Sequence, residues 1–323
     1  MAPDGNASRH LRNSRDSWGF IQQTAGGSMT KIWRTACWAG LGLAAPAMAQ
    51  DAGEPGVVAE LPAPDEQSQP TVFDGDYLTI GAGVGYGPSY SGSDDYVLFA
   101  LPLVQGSLGG VDFSPRPAGL AIDFLPDRDE GPDLSLGLVA RLNSDRADRI
   151  KDPVVAAYGE LDRAVEVGPT AGISFPRLLN PFDSLTASVD VTWDVAGAHG
   201  GMAVSPQVTY FTPLSRAAAV SLSLSTTYID DDYADYYYSV PVTDVAVPGQ
   251  TLPAFQADGG FEDASAALLV AYDLGGDVTD GGFSLVGIAA YSRLLGDAKK
   301  TPFTSVRGDA DQLLLGIGLG YTF

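Results

Sequence analysis

At 323 residues the chain has room for one large domain or two ordinary ones, and length alone does not choose between them. Its 40 acidic residues against 18 basic ones give a net charge of −22. A protein that meets nucleic-acid phosphates needs a basic stripe, so nucleic acid is excluded as a partner class, and the acidic excess points to solubility, cations or basic partners.

The chain order begins with an export signal. From Met29, MTKIWRTACWAGLGLAAPAMAQ has a short basic part (Lys31, Arg34), an apolar stretch, and small residues at Ala47 and Ala49 spaced as a cleavage site. The signal is therefore assigned to 29–49. The polar residues 1–28 do not suit a place ahead of it, so they are expected to be untranslated or disordered, with translation starting at Met29. As a membrane anchor the apolar run falls short of the roughly 20 residues a helix needs to cross a bilayer. The single cysteine, Cys37, lies inside the signal and ahead of its apolar run, unlike a lipoprotein cysteine, which leaves the exported chain without a disulfide framework or thiolate metal site. Loss of residues 1–49 removes five basic and two acidic residues and takes the net charge from −22 to −25. Residues 50–76, rich in proline and acid and without periodicity, read as a flexible leader.

From Tyr77 onward a two-residue period recurs. Leu185, Ala187, Val189, Val191, Trp193 and Val195 alternate with Thr186, Ser188, Asp190, Thr192 and Asp194, and the chain ends on Leu313, Leu315, Ile317, Leu319, Tyr321 and Phe323 alternating with glycines and polar residues. Twelve such segments are predicted: 77–87, 96–106, 109–115, 118–125, 133–142, 163–175, 184–195, 201–212, 216–228, 261–273, 281–292 and 312–323. The third and fourth together also read as one bent strand, and Pro102, Pro169 and Pro206 each remove a ladder donor.

A soluble sandwich would turn the apolar face inward and a membrane barrel would turn it to lipid; periodicity does not separate them. The signal, the glycine-rich second face, and aromatic residues near segment ends (Tyr77, Tyr86, Tyr96, Tyr210, Tyr228, Tyr272, Tyr291, Tyr321) favour the barrel. A spanning sheet must also close, because an open edge facing lipid is forbidden. Tyr321 and the terminal Phe323 resemble the C-terminal sorting signal of bacterial outer-membrane proteins. The predicted fold is all-β, a closed antiparallel transmembrane β-barrel of about twelve strands over residues 77–323, located in the outer membrane in contact with its lipid. With both ends periplasmic, the short connections fall inside and the long ones, about 143–162, 229–260 and 292–311, outside.

Four blocks, YGPSYSGSDDY (86–96), GAHGG (197–201), YIDDDYADYYYSV (228–240) and YSRLLGDAKKTPF (291–303), followed by the terminal strand, resemble the MipA/OmpV family of outer-membrane proteins. Arg293, Leu294, Gly296, Asp297 and Ala298 form the most recognisable motif. Ser239-Val240 and Thr301-Pro302 depart from the family's usual Gly-Val and Ser-Pro. The resemblance implies a barrel named for interaction with a membrane-bound lytic transglycosylase and thought to scaffold it with a murein polymerase. Adhesion and permeability are also discussed for such proteins.

Among the residues themselves, Tyr233, Tyr236, Tyr237 and Tyr238 form a candidate loop interaction patch, since tyrosine supplies rigid amphipathic contact area; packing of the loop over the barrel mouth is the favoured reading. Asp230, Asp231, Asp232 and Asp235 lack the spacing of a calcium loop and read as a solvated acidic stretch. His199 is the only histidine of the exported chain, sits in a turn without a serine motif, and reads as structural, so no catalytic, cofactor or metal site is assigned. Asp190, Asp194, Glu166 and Arg141 would face the lumen, and an open lumen of that kind would favour cations.

Overall fold

The computed structural model describes residues 71–126, 128, 131–242 and 251–323. The signal segment with Ala47 and Ala49, residues 1–28 and the leader as far as residue 70 lie outside the described residues. Twelve antiparallel strands close into a barrel in which each is bonded to its sequence neighbours and the first to the last. They are β1 (Tyr77–Pro88), β2 (Tyr96–Leu108), β3 (Val111–Arg116), β4 (Gly119–Asp123), β5 (Asp133–Asn143) and β6 (Ala164–Pro176), then β7 (Ser184–Asp194), β8 (Met202–Pro213), β9 (Ala218–Ile229), β10 (Gly260–Asp273), β11 (Gly282–Leu294) and β12 (Asp311–Thr322). Four short helices, α1 (Pro153–Ala156), α2 (Asp231–Tyr238), α3 (Gly296–Lys300) and α4 (Pro302–Ser305), all lie in the long connections.

Burial shows which face meets lipid. Leu138, Leu224, Ile317 and Leu319 are 49, 57, 55 and 52 % exposed, whereas Thr192 and Ser221, on the polar sides of their strands, are each 1 % exposed. The apolar side of each zigzag points out, as hydrocarbon requires and a sandwich forbids. Rings gather at both rims: Tyr86 against Tyr96 at 5.3 Å on one, and Phe283, Tyr321 and Phe323 in edge contacts of 4.7 Å on the other. Tyr77 does not join them. It turns inward, buried against Phe73 at 4.9 Å, because its neighbour Leu78 takes the lipid side.

VDFSPRPAGLAIDF forms two strands, paired as a hairpin from Asp112–Asp123 to Arg116–Gly119, whose turn places Ala118 at a φ of 50°. The three prolines occupy ladder gaps. The β6–β7 register skips Pro169, the β8–β9 register skips Pro206, and Pro102 lies where β2 has a partner only in β1.

The interior is two-sided, which alternation alone does not reveal. From β5 to β9 it is polar. On β2 the inward residues are Phe99, Leu101 and Leu103, which fold across the glycines of β1 and β12: a Cβ on Gly85 would lie 2.5 Å from the Phe99 ring, and one on Gly316 would lie 2.6 Å from Leu101. Those glycines leave room for large side chains of the adjacent strand inside a narrow barrel. The short turns 177–183, 214–217 and 274–281 share one end with both described termini; the long connections 144–163, 230–259 and 295–310 cover the other, which by barrel convention is the outer end.

Candidate functional site

The outer mouth is closed by α2. Asp230 caps this helix, accepting from Tyr233 N at 3.1 Å through Oδ1 and from Met202 N at 2.8 Å through Oδ2. Asp231 accepts from Gly259 N at 2.7 Å, and Asp235 from the Gln256 side chain. Hydrogen bonds within the loop thus engage three of the four aspartates of this stretch, and no group of three or more potential metal ligands occurs among the described residues.

The helix turns its tyrosines down into the barrel. Tyr233, Tyr237 and Tyr238 are buried, and only Tyr236 keeps an accessible edge, its hydroxyl accepting from Asp162 N at 2.9 Å. Burial first, then neighbouring carboxylates, push the Tyr233, Tyr237 and Tyr238 hydroxyls above the ordinary phenol range, so they remain protonated. Tyr238 donates to Glu262, and Asn143 Nδ2 bridges Tyr233 Oη at 3.0 Å and Glu166 at 3.1 Å.

The family-like motif locks this helix in place. Leu294 and Ala298 are buried in the cluster formed by Tyr233, Ala234, Tyr237 and Tyr238. Gly296, at a φ of 48°, allows the chain to turn from β11 into α3, and Asp297 accepts from Asp258 N and Lys300 Nζ at 3.1 and 2.8 Å. Arg293 instead faces outward and pairs with Asp311 at 2.9 Å. One residue beyond α3, Thr301 Oγ1 donates to the Tyr238 carbonyl at 2.7 Å.

Beneath the cap runs a belt of charge. Asp190 Oδ2 accepts from Arg116 Nε at 2.9 Å and Arg141 Nη2 at 2.6 Å, Asp190 Oδ1 accepts from Thr170 at 2.6 Å, and Arg141 also donates to Ser205 at 3.2 Å. Five strands, β3, β5, β6, β7 and β8, are tied across the lumen. Glu166 lies 3.5 Å from His199 Nε2, and Asp194 accepts from the Ala196 and Gly200 amides. The lumenal acids read from the sequence are thus paired. Below the belt a cavity of about 260 Å³ opens toward the periplasmic end, lined by Tyr77, Asp112, Ser114, Asp123, Ser135 and Gln207 among others.

His199, read as a turn residue, reaches further than a turn: it is buried, its Nδ1 accepts from Gly201 N at 3.0 Å, and its ring packs on Tyr233 at 4.7 Å and Tyr237 at 5.6 Å. Its Nε2 therefore carries the proton and faces Glu166. Sequence reading missed Arg116, hidden in the hairpin whose strands were ambiguous, and Arg146. The latter is buried in the 144–163 connection, donates to the Tyr237 carbonyl at 3.0 Å and stands 4.0 Å over the Phe303 ring. Nothing in the spacing of SDRADR distinguishes this arginine from its exposed neighbour Arg149.

No curated protein matches the chain. Among solved structures, an outer membrane channel of Pseudomonas putida F1 aligns over 82 % of this chain and 100 % of its own, at 15 % identity and a TM-score of 0.41. The outer membrane channel DcaP of Acinetobacter baumannii aligns over 77 and 96 % at 11 % identity and 0.37. OmpT of Vibrio cholerae aligns over 77 and 97 % at 8 % identity and 0.32. Residues 80–323, nearly the whole barrel, match the family described as MltA-interacting protein MipA, and this outer-membrane β-barrel belongs to that family.

Proposed function

We propose that the protein is a non-enzymatic scaffold that holds murein-remodelling enzymes, a lytic transglycosylase and a murein polymerase, at the outer membrane. The observation that carries this reading is family membership: the family is described by its interaction with MltA. Murein lies on the periplasmic side, so the partner's contacts fall on the short-turn end and not on the tyrosine-rich cap. That end offers Leu178, Leu179 and Phe182, which are 51, 77 and 45 % exposed in the 177–183 turn. His199, held between Gly201, Glu166 and the tyrosines, supports a structural role over a catalytic one.

Co-purification after mild crosslinking tests the scaffold. Wild type and Tyr236→Ala capture a murein enzyme, and a Leu178→Ser, Leu179→Ser, Phe182→Ser variant loses it; a wild type that captures none removes the reading. The alternative reading is a small cation-favouring pore or permeability protein. The cavity lined by Asp112 and Asp123 supports it, but the Asp190 belt and the tyrosine cap oppose it. Cation-selective openings in planar bilayers would decide for the pore.

A further inference from the structure

The barrel wall is incomplete in its outer half. β2 pairs with β3 through only three residues, Gly106, Ser107 and Leu108, although it pairs with β1 along its whole length. Continuing the β2–β3 register places the hairpin tip, Arg116, level with Leu103, so residues 96–102 of β2 rise beyond the hairpin with no neighbouring strand on that side among the described residues. At about 3.3 Å per residue this edge runs on the order of 20 Å. On the far side, the β4–β5 ladder ends at Gly119–Arg141, with one more bond from Leu142 N to the Ala118 carbonyl at 2.9 Å. The gap is closed at its top by the 144–163 connection, whose Lys151 donates to the Tyr96 carbonyl.

The sequence is adapted to that open edge. Gly109 and Gly110, at φ of 60° and 80°, make a two-residue hairpin turn in which Leu108 and Val111 exchange both backbone bonds. Counting back in twos, the backbone groups of Leu98, Ala100 and Pro102 face the gap and those of the odd-numbered residues face β1, while Val104 stands level with Pro115 of the hairpin. Pro102, which has no N–H, stands in the set that faces no partner, the position a proline takes at a sheet edge. The remaining N–H groups still need hydrogen-bond acceptors, which pure hydrocarbon does not supply.

Both sides of the gap carry apolar surface. Outside stand Leu98 (66 % exposed) and Val104 (40 %). Inside, Phe99, Leu101, Leu103, Leu314 and Ile288 point into the barrel yet are only partly buried. Below, Arg116 and Arg141 meet Asp190 at 2.9 and 2.6 Å, and Arg116 lines the top of the periplasmic cavity.

Beyond any scaffold role, we propose that the gap above the β3–β4 hairpin is a lateral portal for a single-chain amphiphile of the outer leaflet. Its hydrocarbon chain lies along Phe99, Leu101 and Leu103, and its hydrogen-bonding head meets the free backbone groups of β2. The occupant follows from location: the gap opens into hydrocarbon on one side and onto unpaired amides on the other, and an amphiphile satisfies both.

The purified barrel in phosphatidylcholine vesicles, photolabelled with palmitic acid carrying a diazirine at its chain end, tests this. Every lipid-facing strand takes label, so the decisive sites are the inward residues Phe99, Leu101, Leu103 and Leu314, which are expected to be labelled while inward Ser221 and Ser223 are not. Ala290→Trp, beside Leu314 in the register, fills the chamber and abolishes the inward label while outward label persists. Absence of inward label in the wild type, or its persistence in a folded Ala290→Trp, overturns the portal. Amide exchange gives a second reading: with the amphiphile excluded by Ala290→Trp, the amides of Leu98 and Ala100 exchange faster than those of Phe99 and Leu101. Equal protection of all four there would mean that a strand or a second copy seals the edge, and would likewise overturn it.

Discussion

Asp190→Asn removes the carboxylate that joins two arginines, Arg116 on β3 and Arg141 on β5, to β7. The side chains of Arg116, Arg141 and Asp190 are 14, 16 and 5 % exposed, so the small worth of a surface ion pair, about 0–1 kcal/mol, does not apply. Breaking a buried pair by removing one partner costs about 3–5 kcal/mol because the surviving charge stays buried. Here two cations survive, but Arg141 keeps Ser205 and Arg116 borders the periplasmic cavity, which places the expected loss at the lower end, about 3 kcal/mol, or roughly two powers of ten in the folding constant. The assay is urea unfolding in detergent micelles. Trp193, the only tryptophan after residue 38, lies on the lipid side of the same strand and reports the transition. Replacing Arg116 and Arg141 by methionine in the Asp190→Asn background removes the stranded charges and is expected to restore most of the stability. If Asp190→Asn unfolds within about 0.5 kcal/mol of wild type, the belt does not hold the barrel and the reasoning fails.

Three further outcomes are expected. The Tyr237 hydroxyl is buried without a hydrogen-bond partner whereas that of Tyr238 meets Glu262 and Ser91, so Tyr237→Phe should be neutral or stabilising and Tyr238→Phe should cost about 1–3 kcal/mol in the same unfolding assay. A Cβ on Gly137 would lie 1.7 Å from the Ile122 carbonyl oxygen, whereas one on Gly287 meets nothing within 4 Å; Gly137→Ala should therefore lose about 1–3 kcal/mol by forcing β4 from β5, and Gly287→Ala almost nothing. Burial alone would raise the Asp152 carboxyl, but Arg307 and the Val155 and Val154 amides outweigh it and set it below the ordinary aspartate range. Its contribution is thus complete above about pH 4 and lost as pH falls through the depressed value, so exchange protection of the Val154 and Val155 amides should fall on acidification, and Asp152→Ala should lack it at neutral pH too.

How much of this was legible follows from which forces repeat along the chain. The lipid-facing zigzag recurs in every strand, so all twelve segments, including the doubtful pair at Val111–Arg116 and Gly119–Asp123, stand where a period of two puts them. What the period cannot carry is the identity of the second face, because hydrocarbon constrains only the first. Phe99 alternates with Leu98 and Ala100, all apolar, so a reading in twos finds a greasy segment and assigns no polarity to the lumen beside it; the glycines opposite explain how the ring fits, but only once Gly85 is known to be its neighbour. The cap was legible only in outline. The tyrosines offered either a recognition patch or, as the favoured reading, packing over the barrel mouth; that Tyr233, Tyr237 and Tyr238 are the buried ones depends on Leu294, Ala298 and Thr301, more than fifty residues away, closing over the same mouth.

Pro102 lies between these cases. Taken alone it is a strand breaker and weakens the prediction of a second strand. Its meaning depends on phase: a proline on the β1-facing set would remove a bond from a complete ladder, whereas at this position it removes one only from an edge that has no partner. A shift of Gly109-Gly110 by a single residue would reverse that phase and turn Phe99 and Leu101 toward lipid, so the turn, the proline and the apolar chamber stand or fall together. An alanine at 102 adds an N–H to the open side without disturbing β1, and in the Ala290→Trp background, which excludes an amphiphile, it is expected to leave the fold intact while adding one more fast-exchanging amide beside that of Ala100. Protection of that new amide there would show that the edge is paired after all.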